Sequence, residues 1–359
     1  PSCRVIAINW GPWDSGMVTP QLKKAFAERN IEVIPLEVGA EMLVNEIEAV
    51  GQASTQVLIG SPIYSWAEKS TTPLRNYRIR RQLTLEANPF LHDHTIGDRP
   101  VLPLTCAASW IGTTCEQLYP GYKFFSLENF KVLKGIVFDG SQADEYILDI
   151  KEIDKNELGE IIFEVILWSE IKNRKTKLFQ RIHYSSQVKI KSQNIDIPIY
   201  ENFILTPENQ YVNGLDLYKN GTLFHGTCFQ GITRILKVNR EQLSLQCVVP
   251  IVSEKDRGQF GIKSLNPYSA DALLQSVVVW VRNFENSASL PLEIQKYEQF
   301  KLINPGEEYY ISADIKKQTK TNAIADVTAH NIKGEIYCRI IDANVTISPQ
   351  LNRLFISKN

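Results

Sequence analysis

Asn88-Pro89-Phe90-Leu91-His92-Asp93-His94-Thr95-Ile96-Gly97-Asp98-Arg99-Pro100-Val101-Leu102-Pro103 is the stretch from which the rest of the chain can be read. It sets His94 nine residues ahead of Pro103, a residue suited to open a helix. Helix N-termini leave their first N–H groups without intrahelical acceptors and carry partial positive charge. The spacing predicts a strand bearing His94, followed by a helix whose free amides point back toward the imidazole. Proton abstraction beside a carbonyl needs a base of near-neutral pKa and donors aimed at the oxygen where charge develops. On spacing alone, a structural or solvated histidine is the commoner explanation. His92 is the rival base, because strand residues two apart share a face. Its position relative to Pro103 favours His94.

A second stretch, Leu265-Asn266-Pro267-Tyr268-Ser269-Ala270-Asp271-Ala272-Leu273-Leu274-Gln275-Ser276-Val277-Val278-Val279-Trp280, is apolar on nearly every face and predicts a buried helix. Asp271 and Gln275 stand four apart and point to one side. A carboxyl in such surroundings is expected to have a raised pKa and to keep a proton, as a general acid requires, with Gln275 orienting it. A structural cap or pair is the alternative. In a third stretch, Leu223-Phe224-His225-Gly226-Thr227-Cys228-Phe229-Gln230-Gly231-Ile232, small residues flank aromatics at a strand start. This suits a pocket wall formed by close backbone approach, or simple core packing.

Around these segments the chain reads as two copies of one α+β layout. Strand-like runs fall near 78–86, 125–134, 144–153, 159–169 and 176–187, with one helix near 103–118. A polar, proline-broken connection at 193–210 leads to strands near 229–238, 242–250, 297–303, 308–317, 322–330 and 335–347, with a helix near 267–283. The halves are taken as 77–192 and 211–350, preceded by a linker at 67–76. Residues 1–66 differ: Val5-Ile6-Ala7-Ile8 is a buried-type parallel strand. Helices at Thr19–Arg29 and Pro35–Ala49 and a strand at Val57–Gly60 follow it. One strand pair and two helices make a partial α/β, Rossmann-like fragment, the tail of a domain.

The chain has 359 residues, 43% hydrophobic and 22% charged, with a formal net charge of -1, so no electrostatic pull toward nucleic acid or an anionic membrane is expected. No apolar run reaches the roughly 20 residues of a membrane span. The six cysteines form no C-x-x-C pair, which argues against a zinc site or disulfide framework and fits a reducing cytoplasm.

Together the three segments resemble the dehydratase domain of modular polyketide synthases. They correspond to its H-x-x-x-G-x-x-x-x-P, D-x-x-x-Q/H and Y-G-P-x-F motifs, in family order. The wording around His94 is closest to synthases of polyunsaturated fatty acids and of cyanobacterial glycolipids. Departures are Asp98 at the motif glycine, beside Gly97; Leu104 after the proline; His225 for Tyr; Thr227 for Pro; and Asn266 ahead of Asp271.

The resemblance implies a double hot dog, two antiparallel sheets each wrapping a helix, with His94 and Asp271 facing across a tunnel. It implies dehydration of a 3-hydroxyacyl thioester carried on the phosphopantetheine of an acyl carrier protein. His94 would act as base, Asp271 as acid oriented by Gln275, and the Leu104 N–H as oxyanion donor. Pro103, His225, Gly226 and Phe229 would line the substrate. Other synthase domains and a homodimer are the implied partners, and the chain itself would bind no cofactor or metal. A product-shaping isomerase or cyclase, or a carrier-binding scaffold, is the alternative.

Residues 8–18, Ile-Asn-Trp-Gly-Pro-Trp-Asp-Ser-Gly-Met-Val, resemble the strand and lid loop of a short-chain-dehydrogenase-type ketoreductase. The glycine-rich loop and the catalytic Ser, Tyr and Lys of that family are missing here. A fluorescence titration of this chain with NADPH is therefore expected to give no saturable binding.

Overall fold

The computed structural model describes residues 5–27, 31–48, 56–60, 74–156, 159–172, 178–193, 195–203 and 212–355. The chain divides into two units, residues 1–73 and 74–359.

In the first unit Ala7–Trp10 pairs in parallel with Gln56–Ile59, and helices Pro20–Ala27 and Leu36–Glu48 lie between them in sequence. Pro20 opens its helix, and Thr19 Oγ1 accepts the Leu22 N–H at 3.3 Å. Among the described residues of this unit only Ile34 and Gly39 are buried. Leu36, Val38, Met42, Leu43, Val44 and Ile47 stay exposed. Gly39 lies against the Trp13 ring, which a Cβ would overlap. Most of the expected linker lies outside the described residues, and its last residue, Asn76, already begins a strand.

The second unit is built on one twelve-stranded sheet. Its first half runs strand Asn76–Arg81, helix Leu104–Gln117, then strands Lys123–Val132, Tyr146–Lys155, Glu160–Lys172 and Leu178–Lys191. Numbered along the chain, these strands lie in the order 1-3-4-5-2. The second half repeats that order with Gln242–Val248, helix Pro267–Glu285, Pro291–Gln299, Glu308–Gln318, Asn322–His330 and Ile336–Thr346. Ile232–Val238 and Val212–Asn213 extend its outer edge. The two second strands, Lys123–Val132 and Pro291–Gln299, pair antiparallel and join the halves, with Leu127 opposite Tyr297. All pairings in this sheet are antiparallel, and each half wraps one helix. This is the expected double hot dog.

Burial accounts for the two central helices. Every residue from Pro267 to Val281 is buried, as a helix enclosed by its sheet requires. Asn266 caps it, with Oδ1 accepting from the Tyr268 and Ser269 amides, and Asn286 in the left-handed region (φ 48°) ends it. In Leu104–Gln117, Gly112 admits the Phe124 ring, which a Cβ would meet at 2.9 Å. The two helices pack against each other.

Away from the His94 segment, the structure departs from expectation in three places. The strand expected at 297–303 is Pro291–Gln299: its charged residues pair across the sheet, Lys296 with Glu128 at 3.5 Å and Glu293 with Lys131 at 3.8 Å, and so look unlike a core strand in sequence. The described part of the 193–210 connection is strapped to the second sheet. There the Tyr200 N–H donates to Gly334 O and its hydroxyl to Asp314. The second half also extends past 350, since Asn352 Oδ1 accepts from Arg282 and from the Ala288 amide. Among the described residues no helix is long and apolar enough to cross a membrane.

Because Leu127 is fully buried at the seam, Leu127→Ala is expected to lower unfolding free energy by about 2–5 kcal/mol, measured by urea denaturation.

Candidate active site

Pro89–Asp93 is a 3-10 helix, not the expected strand. His94 follows it and forms an antiparallel bridge with His225. A hairpin of Thr95–Ile96 with Arg99–Pro100 comes next, turning at Gly97 (φ 71°). The glycine is therefore needed one residue before the motif position, in the left-handed half of the turn, and Asp98 fills the other place. Pro103 caps the first central helix, so the amides of Leu104 and Thr105 start it without intrahelical acceptors. His92 lies exposed on the 3-10 turn, where strand parity does not apply, and takes no part in the site.

His94 is 93% buried, and its Nδ1 stands 2.8 Å from Val101 O. A carbonyl only accepts, so Nδ1 carries the proton and Nε2 presents its lone pair. Burial pushes the imidazole down to about 4, against the attraction of Asp271, so it is neutral at neutral pH.

Asp271 sits on the second central helix, buried, with Gln275 one turn on. Gln275 Nε2 donates to Asp271 Oδ2 at 2.9 Å and to Phe229 O at 3.0 Å. Its Oε1 accepts the Tyr218 hydroxyl at 2.8 Å, and that hydroxyl accepts the Ile232 N–H at 3.1 Å. This chain fixes which end of the amide faces the carboxylate. From the first helix, Thr105 Oγ1 reaches Asp271 Oδ1 at 3.4 Å. Sequence reasoning singles out neither Tyr218 nor Thr105. Thr105, in the first turn after Pro103, is within reach of that reasoning; Tyr218 carries no spacing signal.

His225 Nε2 lies 3.1 Å from Asp271 Oδ2. Its ring stacks on Phe224, with centroids 4.0 Å apart, and stands 5.3 Å from the His94 ring. Phe229 is fully buried, 5.5 Å from His94 and 5.3 Å from Tyr268. The close approach at Gly226 is to protein: its N–H donates to Asp93 O at 2.7 Å, and a Cβ would overlap the Asp93 carboxylate. Asp93 Oδ2 also accepts from the Cys228 amide and the Thr227 hydroxyl. Gly226 thus locks the third segment onto the residue before His94.

The expected rise of the Asp271 pKa is not found. Burial raises it, but His225, His94 and the Gln275 amide favour the anion, and the balance falls below the ordinary carboxylate value. His94, His225 and Asp271 offer donor atoms within 4.8 Å of one another, the composition of a two-histidine, one-carboxylate metal site. His225 Nε2 and Asp271 Oδ2, 3.1 Å apart, are also within hydrogen-bond distance of each other. A cavity of about 660 Å³ lined by Arg99, Val101, Lys134, Arg181 and His183 lies elsewhere on the hairpin and includes none of the three.

Residues 67–166 match the family described as "Polyketide synthase dehydratase domain" and residues 212–354 the one described as "Polyketide synthase dehydratase N-terminal domain". The chain carries a dehydratase domain of the polyketide synthase family. It is 29% identical over 310 residues to one of the polypeptides of the polyunsaturated fatty acid synthase of Thraustochytrium sp., covering 86% of this chain and 11% of that protein. The chain thus spans about a ninth of the relative's length.

Among solved structures, the dehydratase domain of the CurF module of curacin polyketide synthase is similar at TM-score 0.60 and 14% identity, over 76% of this chain and 93% of that one. Two structures of CurK dehydratase, described as inactive mutants with His→Phe and with Asp→Asn, match at TM-score 0.57. They are 17% and 18% identical, over 76% of this chain and 93% and 94% of theirs.

The depressed His94 value fixes a pH dependence of stability. The unfolded histidine protonates near 6.5 and the folded one only near 4. Below 6.5 the unfolded state therefore binds the proton first, and stability present above 6.5 is lost as pH falls through 4. Urea midpoints between pH 7 and 4 should show His94→Gln losing about 3 kcal/mol less stability than the wild type.

Proposed function

We propose that this chain removes water from a 3-hydroxyacyl thioester to give the 2-enoyl thioester, within a polyketide- or fatty-acid-type synthase. The observation that carries the reading is the state of His94: Nδ1 is held by Val101 O, leaving Nε2 as a buried, neutral base in the same cluster as Asp271. His94 Nε2 takes the α-proton. The Leu104 N–H, free at a helix start, is proposed to stabilise the enolate-like oxygen. The side of the site bearing Asp271 and Gln275 serves the departing β-hydroxyl. The CurK dehydratase variants, described as inactive after loss of a histidine and of an aspartate, support these two residue types in that role.

The substrate is proposed to arrive on the phosphopantetheine of an acyl carrier protein, with the chain working as a homodimer among other synthase domains and adding no cofactor of its own. Pro103, His225 and Phe229 are proposed to border the acyl chain, with Gly226 behind them. Residues 1–66 are proposed as the closing part of a ketoreductase-type α/β domain. Their parallel strand pair and exposed apolar helix face support that reading.

The test is mass spectrometry of a phosphopantetheine-linked 3-hydroxyacyl thioester incubated with the chain. Wild type is expected to convert it to the species lighter by one water. His94→Ala and Asp271→Asn should each slow conversion by about 10²–10⁴-fold. No loss of water across several chain lengths, with folding verified by circular dichroism, would turn the assignment to a product-shaping or carrier-binding domain.

A further inference from the structure

Arg81 ends the strand Asn76–Arg81 on its inward face, whereas Arg78 and Arg80 face solvent and pair with Asp149 and Glu145. Among the described residues the Arg81 guanidinium has neither a carboxylate nor a hydrogen-bond acceptor. It lies over the Trp110 ring, 4.4 Å from the centroid, and 5.6 Å from that of Phe260. Burial alone pushes it down to about 10, so no acid is close enough to act on it, and it stays cationic at neutral pH. Stacking occupies the faces of a guanidinium, while its five N–H donors lie in the plane. Trp110 is 3% exposed, and its Nε1, a donor only, is also without a partner among the described residues. Two sets of donors thus meet beside one ring with nothing to accept from them, a cost that a bound acceptor offsets. Arg81 is only partly buried, so solvent reaches this point.

A run of aromatic side chains leads from there to the catalytic cluster. Phe260 packs edge-on to Phe90 at 5.4 Å, Phe90 meets Phe229 at 6.1 Å, and Phe229 meets His94 at 5.5 Å. Tyr268 flanks the run, 5.9 Å from Phe90 and 5.3 Å from Phe229, and its buried hydroxyl is again without a partner among the described residues.

We propose that Arg81 and Trp110 Nε1 form a phosphate subsite for the phosphopantetheine arm, which lies along Phe260, Phe90 and Phe229 and brings its thioester to His94. The identity of the ligand rests on the dehydratase reading above. Its chemistry matches the order of the unsatisfied groups. A phosphate offers two oxygens to a guanidinium fork and keeps another for the indole N–H. The arm behind it is apolar apart from its amides and a hydroxyl, and an amide carbonyl suits a lone buried hydroxyl such as that of Tyr268. Four steps of 5.4 to 6.1 Å, ring to ring, separate Arg81 from His94, a span that an extended arm of amide-linked segments covers. Arg81 belongs to the first repeat and Phe260 to the second, so the subsite, like the cluster it feeds, draws on both.

The probe is a pair of 3-hydroxyacyl thioesters, one on phosphopantetheine and one on pantetheine without the phosphate, assayed for loss of water. Wild type is expected to favour the phosphorylated substrate by about tenfold or more in kcat/KM, the difference lying in KM. Arg81→Gln should bring that ratio close to one. Arg81→Lys, which keeps the charge but not the fork, should recover it in part, and Trp110→Phe, which keeps the ring, should lower it by about threefold. A ratio that is absent in wild type, or unchanged in Arg81→Gln, overturns the proposal and leaves the dehydratase reading intact. Phosphorus NMR of phosphopantetheine titrated with the chain reads the subsite without turnover. Its resonance is expected to shift saturably with wild type and not with Arg81→Gln. No saturable shift with wild type, or its loss on adding an equal concentration of inorganic phosphate, would overturn the subsite. If binding depends on Arg81 but wild type eliminates no water from either thioester, the dehydratase reading fails and a carrier-binding site remains.

Discussion

The ladder between Lys123–Val132 and Pro291–Gln299 is the constraint on which the rest of the second unit depends. It turns two five-strand repeats into one continuous sheet and sets their enclosed helices side by side. Only in that arrangement does the start of the first helix, with Thr105, meet Asp271 on the second. His94 belongs to the connection of the first repeat, and His225 to the entry of the second. The bridge between them, together with the Asp93 clamp on Gly226, holds the two sides of the cluster in register across the joint. A site shared between repeats is therefore a property of the seam rather than of either repeat.

Within that frame two opposing influences act on the ionisable groups. Burial removes the charged form of any lone group, and it does so for His94, which is left as a neutral base. Asp271 is equally buried but has the imidazole of His225 and the amide of Gln275 at hydrogen-bond distance, and pairing outweighs burial there. The two residues differ in state because one faces a carbonyl and the other faces donors. Aromatic rings from Phe224, Phe229 and Tyr268 close the surroundings and keep water from levelling that difference.

Much of this is legible in the sequence. Helix limits at 104–117 and 267–285, and most of the strands, follow from apolar periodicity and from Pro103, Asn266 and Pro267 at the helix starts. The Asp271–Gln275 contact follows from helical spacing, and the His94 segment from its distance to Pro103. The state of Asp271 is not legible, because the partner that reverses it, His225, lies 46 residues upstream and meets it only after the sheet closes. Gly226 escapes a sequence reading for a related reason: what fills the space above a glycine is decided by another segment, here Asp93. The strand at 291–299 is displaced from its expected place because cross-strand ion pairs give it the composition of a loop.

The C-terminal turn Pro349–Leu354 adds a requirement of its own. Leu354 O accepts the Gly97 N–H at 2.8 Å, at the tip of the His94 hairpin. Phe355 packs edge-on against Phe224, the ring on which His225 stacks. The residues that follow the final strand therefore buttress both histidines from behind. A domain excised for transplantation into another assembly line must keep its tail through Phe355, since a cut at the end of that strand would leave the sheet whole and the chemistry unsupported.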